Sequence, residues 1–426
     1  MDVNLVFNIV PRLLPTFMLG IVALVGLLLQ RKSFSESITG TVKTMVGVII
    51  LFAGVDILVS VIEPISTLFG QLYTFEATPI TADWVAFLGE YGIQIVLIMV
   101  FGFLVNLVLA RITPMKNVFL TGHILFWNAF MVTAGLADAG KIGGVALVII
   151  GSLVLGVIST VLPALISRFV FKLTGSKDFT IGHTTTIHAF VGAYLGKLVG
   201  DPSDSLEDIE IPEGWSFMKS MTISTSLIMF LLYLVMGWLA GVGFAAETFS
   251  AGNPVLWYFW VIFQGLTFGA GLTVLLTGVR MMLAEIIPAF QGLAEKVVPD
   301  AVPALDCPMI FPYGPNSLAI GFPIAMITSL ITIVIFGLAG YQYILLPLVV
   351  AAFFDVGPAV IIANVTGGRR GALVTAAVGG VLLIVLQALS LPFVSNTAAG
   401  FLNLFGGNDF SLIAILVSGI TRLFGF

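Results

Sequence analysis

Runs of about twenty apolar residues recur from Leu13 to the end of this 426-residue chain. Each is as long as a helix must be to cross the hydrocarbon core of a bilayer, roughly 20 residues. Only 9% of the residues are charged and 59% are hydrophobic, where a soluble domain carries roughly a quarter charged residues. The length accommodates about ten or eleven such spans, which excludes a single-pass anchor. Glycine (46 residues) and proline (19 residues) are scattered through the runs. Membrane helices tolerate them where neighbours re-satisfy the freed backbone groups, so broken helices are expected. The first run, from Leu13 to Leu29, is followed by Arg31 and Lys32 and not by a small-residue cleavage site, which reads as a retained span.

Further spans are expected near 44–62, 92–110, 118–136 and 145–166 in the first half. Arg31, Lys32 and Lys43 follow the first run, Arg111 and Lys116 the third, and Arg168, Lys172 and Lys177 the fifth. The intervening loops hold Glu63, Asp83, Glu90 and Asp138, with Lys141 their single cation. By the positive-inside rule the odd-numbered exits are cytoplasmic and the N-terminus lies outside. The polar stretch from Gly200 to Gly214 separates two apolar halves. The expected organisation is a first membrane half over 1–199, an inter-repeat loop over 200–216 and a second half over 217–426, with spans near 219–242, 255–283, 318–338, 343–365, 372–394 and 410–420. Gly54-Val55 precedes Pro64 by the same interval as Gly278-Val279 precedes Pro288, and the segment from Pro79 to Asp83 corresponds, with one gap, to Pro303 to Asp306. This pattern fits the inverted repeats from which many transporters are built.

Ionisable side chains within apolar spans are costly and face cavities or partners. Of the three histidines, His123 and His183 follow glycines, in Leu120-Thr-Gly-His123-Ile and Thr180-Ile-Gly-His183-Thr184-Thr185-Thr186, and His188 lies beside the second motif. A preceding glycine lets the backbone break and turn the imidazole inward, and threonine hydroxyls both donate and accept. The plainer alternative is a helix-linking histidine beside threonines that bond back to their own helix. The segment from Val298 to Asn316 holds Asp306 among a cluster of prolines, and it cannot be a regular span. At membrane depth such backbone must line a cavity or be buried in protein. It reads as a re-entrant hairpin with Asp306 near its tip, the alternative being an external loop. Trp84, in the matching part of the first half, is a further candidate, although membrane Trp commonly marks the interface. Arg280 and Glu285 are assigned structural roles. The lone Cys307 forms no intrachain disulfide, no Cys/His spacing resembles a metal site, and no basic stripe suggests nucleic acid. Neither a metal nor a cofactor is expected.

At these residues the chain resembles the membrane permease (IIC) component of ascorbate-type sugar phosphotransferase systems. The resemblance rests on Gly40-Thr-Val-Lys43-Thr, Leu120-Thr-Gly-His123-Ile, Phe179-Thr-Ile-Gly-His183, Gly278-Val-Arg280-Met with Ala284-Glu285, Ala304-Leu-Asp306-Cys307 with Pro315-Asn316, and Gly367-Gly368-Arg369 with Ala372-Leu373, in order over essentially the whole chain. It implies an all-α polytopic protein of about eleven transmembrane helices per subunit of a homodimer, with an inverted repeat and two re-entrant hairpins, in the plasma membrane. It also implies separate IIB and IIA phosphocarrier proteins as partners, and no catalytic residue in this chain. Carried over by position, the substrate site comprises His123, Trp127, His183, Thr184 and Asp306, with Trp84 added from the repeat. Ascorbate permeases usually carry glutamines after the second histidine and shortly after the first, where this chain has the threonine triplet and Trp127-Asn128. The cargo is therefore open among an ascorbate-like sugar acid, a pentose and a polyol. The rival expectations are an ion-coupled transporter, with Asp306 and the histidines as ion sites, and an intramembrane enzyme using Asp306 and His183 as an acid/base pair.

Overall fold

Long apolar helices dominate the protein, as the sequence predicts. A computed structural model describes residues 10–72, 80, 84–138, 142–209, 214, 217 and 220–424. Asp83, Lys141, Pro79 and much of the loop 210–219 lie outside them. The helices are α1 (Val10–Leu29), α2 (Phe34–Leu72), α3 (Trp84–Ile112), α4 (Gly122–Ala137), α5 (Gly144–Thr174), α6 (Thr186–Val199), α7 (Met221–Ala240), α8 (Val242–Phe249), α9 (Pro254–Lys296), α10 (Pro315–Leu338), α11 (Val349–Ala351), α12 (Gly357–Ser390), α13 (Ala399–Phe405) and α14 (Asp409–Leu423). Among the described residues six helical stretches are long and apolar enough to cross a membrane, or up to seven if α7 and α8, bent by 114°, form one broken span. The chain is an all-α polytopic membrane protein. A reading of about eleven spans also counts short apolar helices such as α4 and splits α12, whose helix is interrupted at Gly367 and Gly368. Gly368 has φ 60°, and a Cβ there would lie 2.0 Å from the Asp201 carbonyl oxygen, so the break requires glycine on both counts.

The two longest helices, α2 and α9, lie against each other and carry the paired Gly-Val and Pro positions. Glycine permits this approach: a Cβ on Gly278 would sit 2.3 Å from the Leu51 nitrogen, and one on Gly54 would sit 2.3 Å from the Leu275 nitrogen. Small residues allow such backbone contact between membrane helices. Lys43 Nζ meets Glu285 Oε1 across the same pair at 3.2 Å, so Glu285 has the structural partner expected of it.

The polar stretch after α6 is anchored to the second half. Glu207 accepts from the Asn316 and Ser317 backbone N–H groups, both at 2.9 Å, at the start of α10, where a carboxylate also complements the helix dipole. Leu206 N–H donates to Asn364 Oδ1 in α12 at 2.9 Å.

Among the described residues three extended segments interrupt the helices: β1 (Asn117–Phe119), β2 (Thr180–Ile181) and β3 (Val302–Leu305). They form one parallel sheet in the order β1-β3-β2, pairing Phe119 with Ala304 and Ile181 with Leu305. The sheet is buried but for Val302. Helices α4, α6 and α10 begin shortly after the three strands. Two sequence expectations change here. The span expected over 118–136 begins as strand and becomes helix only at Gly122, and the span expected over 343–365 begins with non-helical residues up to Leu348. The second then runs through α11 into a buried π-helix, Ala352–Val356. The proline-rich segment is neither a regular span nor an open loop: β3 ends at Leu305, and Asp306 caps a 3-10 helix, Cys307–Tyr313, by accepting from Cys307 N–H at 2.7 Å.

Candidate functional site

Because the strands are parallel, their C-terminal ends open on one side of the sheet. His123 follows β1, His183 follows β2 and Asp306 follows β3, so residues far apart in sequence emerge together. His123 Nε2 lies 3.6 Å from Asp306 Oδ2, and His183 Nε2 lies 3.7 Å from Asp306 Oδ1. The two imidazole rings are 6.4 Å apart. These gaps exceed a direct hydrogen bond and are short enough for one small polar group to bridge. The three groups offer ligand atoms within 4.8 Å of one another, which also meets the spacing of a metal site.

The sheet edge that carries His123 is held by a side chain the sequence reading missed. Asn106 of α3 donates to the Asn117 carbonyl oxygen at 3.0 Å and accepts from Phe119 N–H at 2.9 Å, satisfying one carbonyl and one N–H on the outer edge of the strand. Leaving a buried backbone group unsatisfied costs about 1–3 kcal/mol. Replacing Asn106 with Leu is therefore expected to destabilise the protein by about 2–4 kcal/mol, read as a lower thermal unfolding midpoint of the purified protein. An unchanged midpoint would contradict this role.

Beyond the sheet lies a cavity of about 240 Å³. It is below the roughly 300 Å³ at which pockets for drug-sized ligands begin, and is therefore of monosaccharide scale. His123, Trp127, His183, Thr184 and Asp306 all line it. Trp84 does not; it stands behind the wall, edge-on to Trp127 at 6.2 Å and to Phe401 at 5.4 Å. Trp127 and Phe401 are stacked at 4.9 Å and 26°, and Phe354, Phe405 and Phe410 extend the apolar wall. Aromatic ring faces carry partial negative charge and complement the electron-poor C–H groups of a hydroxylated carbon chain. Among the described lining residues there is no Lys or Arg. The ionisable groups are two imidazoles and two carboxylates, Asp306 and Asp355.

Asp355 was not anticipated. It is buried in the π-helix between α11 and α12, an element that recurs at functional sites. Its Oδ1 is 3.2 Å from His183 Nδ1 and accepts from the Thr184 hydroxyl at 2.5 Å, and its Oδ2 accepts from Asn408 Nδ2 at 2.7 Å. The Thr185 hydroxyl donates to the Asp355 carbonyl oxygen at 2.6 Å. The threonine triplet is thus divided. Thr184 reaches the chamber edge with its proton engaged, Thr185 holds Asp355, and the N–H groups of Thr186 and Ile187 donate to Asp409 at 3.0 and 2.9 Å. Asp409 caps α6 from a distant part of the chain, supplying the acceptor and negative charge that a helix N-terminus favours. His188 faces away from the chamber lining and meets the Gly407 carbonyl oxygen through Nε2 at 2.8 Å. The sequence signal for Asp355, an acid inside an apolar run, was present within the span expected over 343–365.

The family model described as PTS system sugar-specific permease component, EIIC-GAT, matches residues 8–409. The ascorbate-specific PTS system EIIC component of Mycoplasma pneumoniae is 28% identical over 460 aligned positions, covering 94% of this chain and 68% of that protein.

Proposed function

Taking as premise that this chain belongs to the family of PTS system sugar-specific permease components, we propose that it carries an ascorbate-like sugar acid, or a related sugar or polyol, to a separate IIB protein that phosphorylates it. The chamber lined by His123, Trp127, His183, Thr184 and Asp306 is its substrate site, and Trp84 supports the aromatic wall. The observation that carries this reading is the meeting of two imidazoles and a carboxylate on one cavity of monosaccharide scale with aromatic walls. Hydroxyl groups engage the polar end through hydrogen bonds, and the carbon chain lies on the aromatic end. This chain supplies binding and passage without a catalytic residue of its own. IIB and its phosphate donor IIA are separate partners, and phosphorylation on the far side traps the solute. The working assembly is a homodimer in the plasma membrane with the N-terminus outside, built from halves spanning 1–199 and 217–426.

Sealed vesicles containing the purified protein test the coupling. A panel of L-ascorbate, other sugar acids, pentoses and polyols is screened first by thermal shift, and the stabilising solute is then used for uptake. Accumulation is expected only when phosphorylated IIB is supplied on the cytoplasmic side, with the product recovered as its phosphate. Uptake driven by an imposed proton or sodium gradient alone would overturn the proposal in favour of ion-coupled transport.

A further inference from the structure

We propose that Asp355 is a positioning residue that fixes the tautomer of His183, so that the Nε2 lone pair faces the chamber and accepts a hydroxyl proton from the solute. The inference rests on the substrate-site reading above and adds the direction of one hydrogen bond within it.

The argument follows the protons. Asp355 is 1% exposed, and its carboxylate oxygens accept from the Thr184 hydroxyl and the Asn408 amide. With the carboxylate acting only as acceptor, the contact at 3.2 Å places the proton on His183 Nδ1. The Thr184 oxygen, 3.0 Å from Nδ1, can share that proton. A neutral imidazole with hydrogen on Nδ1 has a bare Nε2, and Nε2 points at Asp306 Oδ1 across 3.7 Å. Two acceptors then lie side by side, an arrangement completed by a donor seated next to both. A ligand hydroxyl lies within reach of both. Carboxylate–imidazole pairing of this kind sets which ring nitrogen is available in many sites.

The surroundings make the lock specific to a carboxylate. Asn408 cannot readily reverse its amide, because Nδ2 also donates to the Phe405 carbonyl oxygen and Oδ1 accepts from Phe410 N–H, both at 3.1 Å. In an Asp355→Asn variant the new carbonyl oxygen must therefore face Asn408. The new NH₂ group is left toward His183 and Thr184. A donor against Nδ1 favours the other tautomer, with the proton on Nε2.

The chain has three histidines, so ring-¹⁵N histidine labelling in lipid nanodiscs gives a resolvable spectrum, and loss of signals in His183→Gln assigns the pair of interest. At a pH high enough that all three imidazoles are neutral, wild-type His183 is expected to show protonated Nδ1 and unprotonated Nε2. Asp355→Asn is expected to reverse the pair while leaving the His123 signals in place. A purely structural role for Asp355 would lower the unfolding midpoint without exchanging the nitrogens. Wild-type His183 protonated at Nε2, or an Asp355→Asn protein with the wild-type tautomer, would overturn the proposal. The wild-type spectrum alone decides the point if the variant does not fold. No solute enters the measurement, so its failure is distinct from failure of the transport reading.

Discussion

Solute binding is expected to fall by about 100-fold or more in an Asp306→Asn variant, with the unfolding midpoint near that of the wild type. The carboxylate faces both imidazoles, and its Oδ1 also accepts from Cys307 N–H at the head of the 3-10 helix. An amide of the same shape can keep the capping bond through its carbonyl oxygen. It then presents an NH₂ donor where the second carboxylate oxygen stood. The variant loses a charged acceptor, worth about 1.5–3 kcal/mol per hydrogen bond, and places a donor against the solute's own hydroxyl proton. Together these effects correspond to two decades or more at about 1.4 kcal/mol per decade. Titration calorimetry with the stabilising solute from the thermal-shift panel provides the measurement. Wild-type affinity in Asp306→Asn would remove this residue from the site.

A large loss of stability is also expected away from the chamber. Asp138, at the end of α4, has a fully buried side chain, and Arg422 Nη2 in the last turn of α14 meets its Oδ2 at 2.6 Å. Asn396 N–H donates to the same carboxylate at 3.0 Å and the Thr397 hydroxyl at 3.2 Å. Removing one partner of a buried ion pair strands the other charge, at about 3–5 kcal/mol. The arginine is 42% exposed along its side chain and the remaining donors stay in place, so Arg422→Ala is expected to cost about 3 kcal/mol. A double Asp138→Asn, Arg422→Ala variant is expected to recover much of that loss, because no stranded charge remains. Thermal unfolding of both proteins checks this. Equal midpoints for Arg422→Ala and the wild type would show that the pair contributes nothing.

Much of this was legible in the sequence, for definite reasons. Apolar runs of membrane-crossing length carry a strong signal, so α1, α2, α3, α5, α7, α9 and α10 follow from composition and order. Glycine before His123 and His183, and proline around Asp306, marked the places where helices stop. The sheet was not legible: strands of three, two and four residues are too short for alternation to register beside helical runs. For the same reason the sequence predicts a span that starts several residues before α4. Asp355 and Asn106 lie inside apolar runs, where a single polar residue does not identify its partner. Only the fold shows that Asn106 closes a sheet edge and that Asp355 stands behind His183. The threonine triplet suggested a row of ligand hydroxyls, whereas two of its hydroxyls are committed to Asp355. The aromatic wall contributed by Phe401 and Phe405 lies so far along the chain from Trp127 that no local pattern could connect them.

The most direct test of the account is an electron cryo-microscopy map of the protein with the stabilising solute bound. The account predicts density for that solute within hydrogen-bond distance of His123 Nε2, His183 Nε2 and the Asp306 carboxylate, with its carbon chain against Trp127 and Phe401. Solute density elsewhere in the protein, with this chamber holding only solvent, would contradict it.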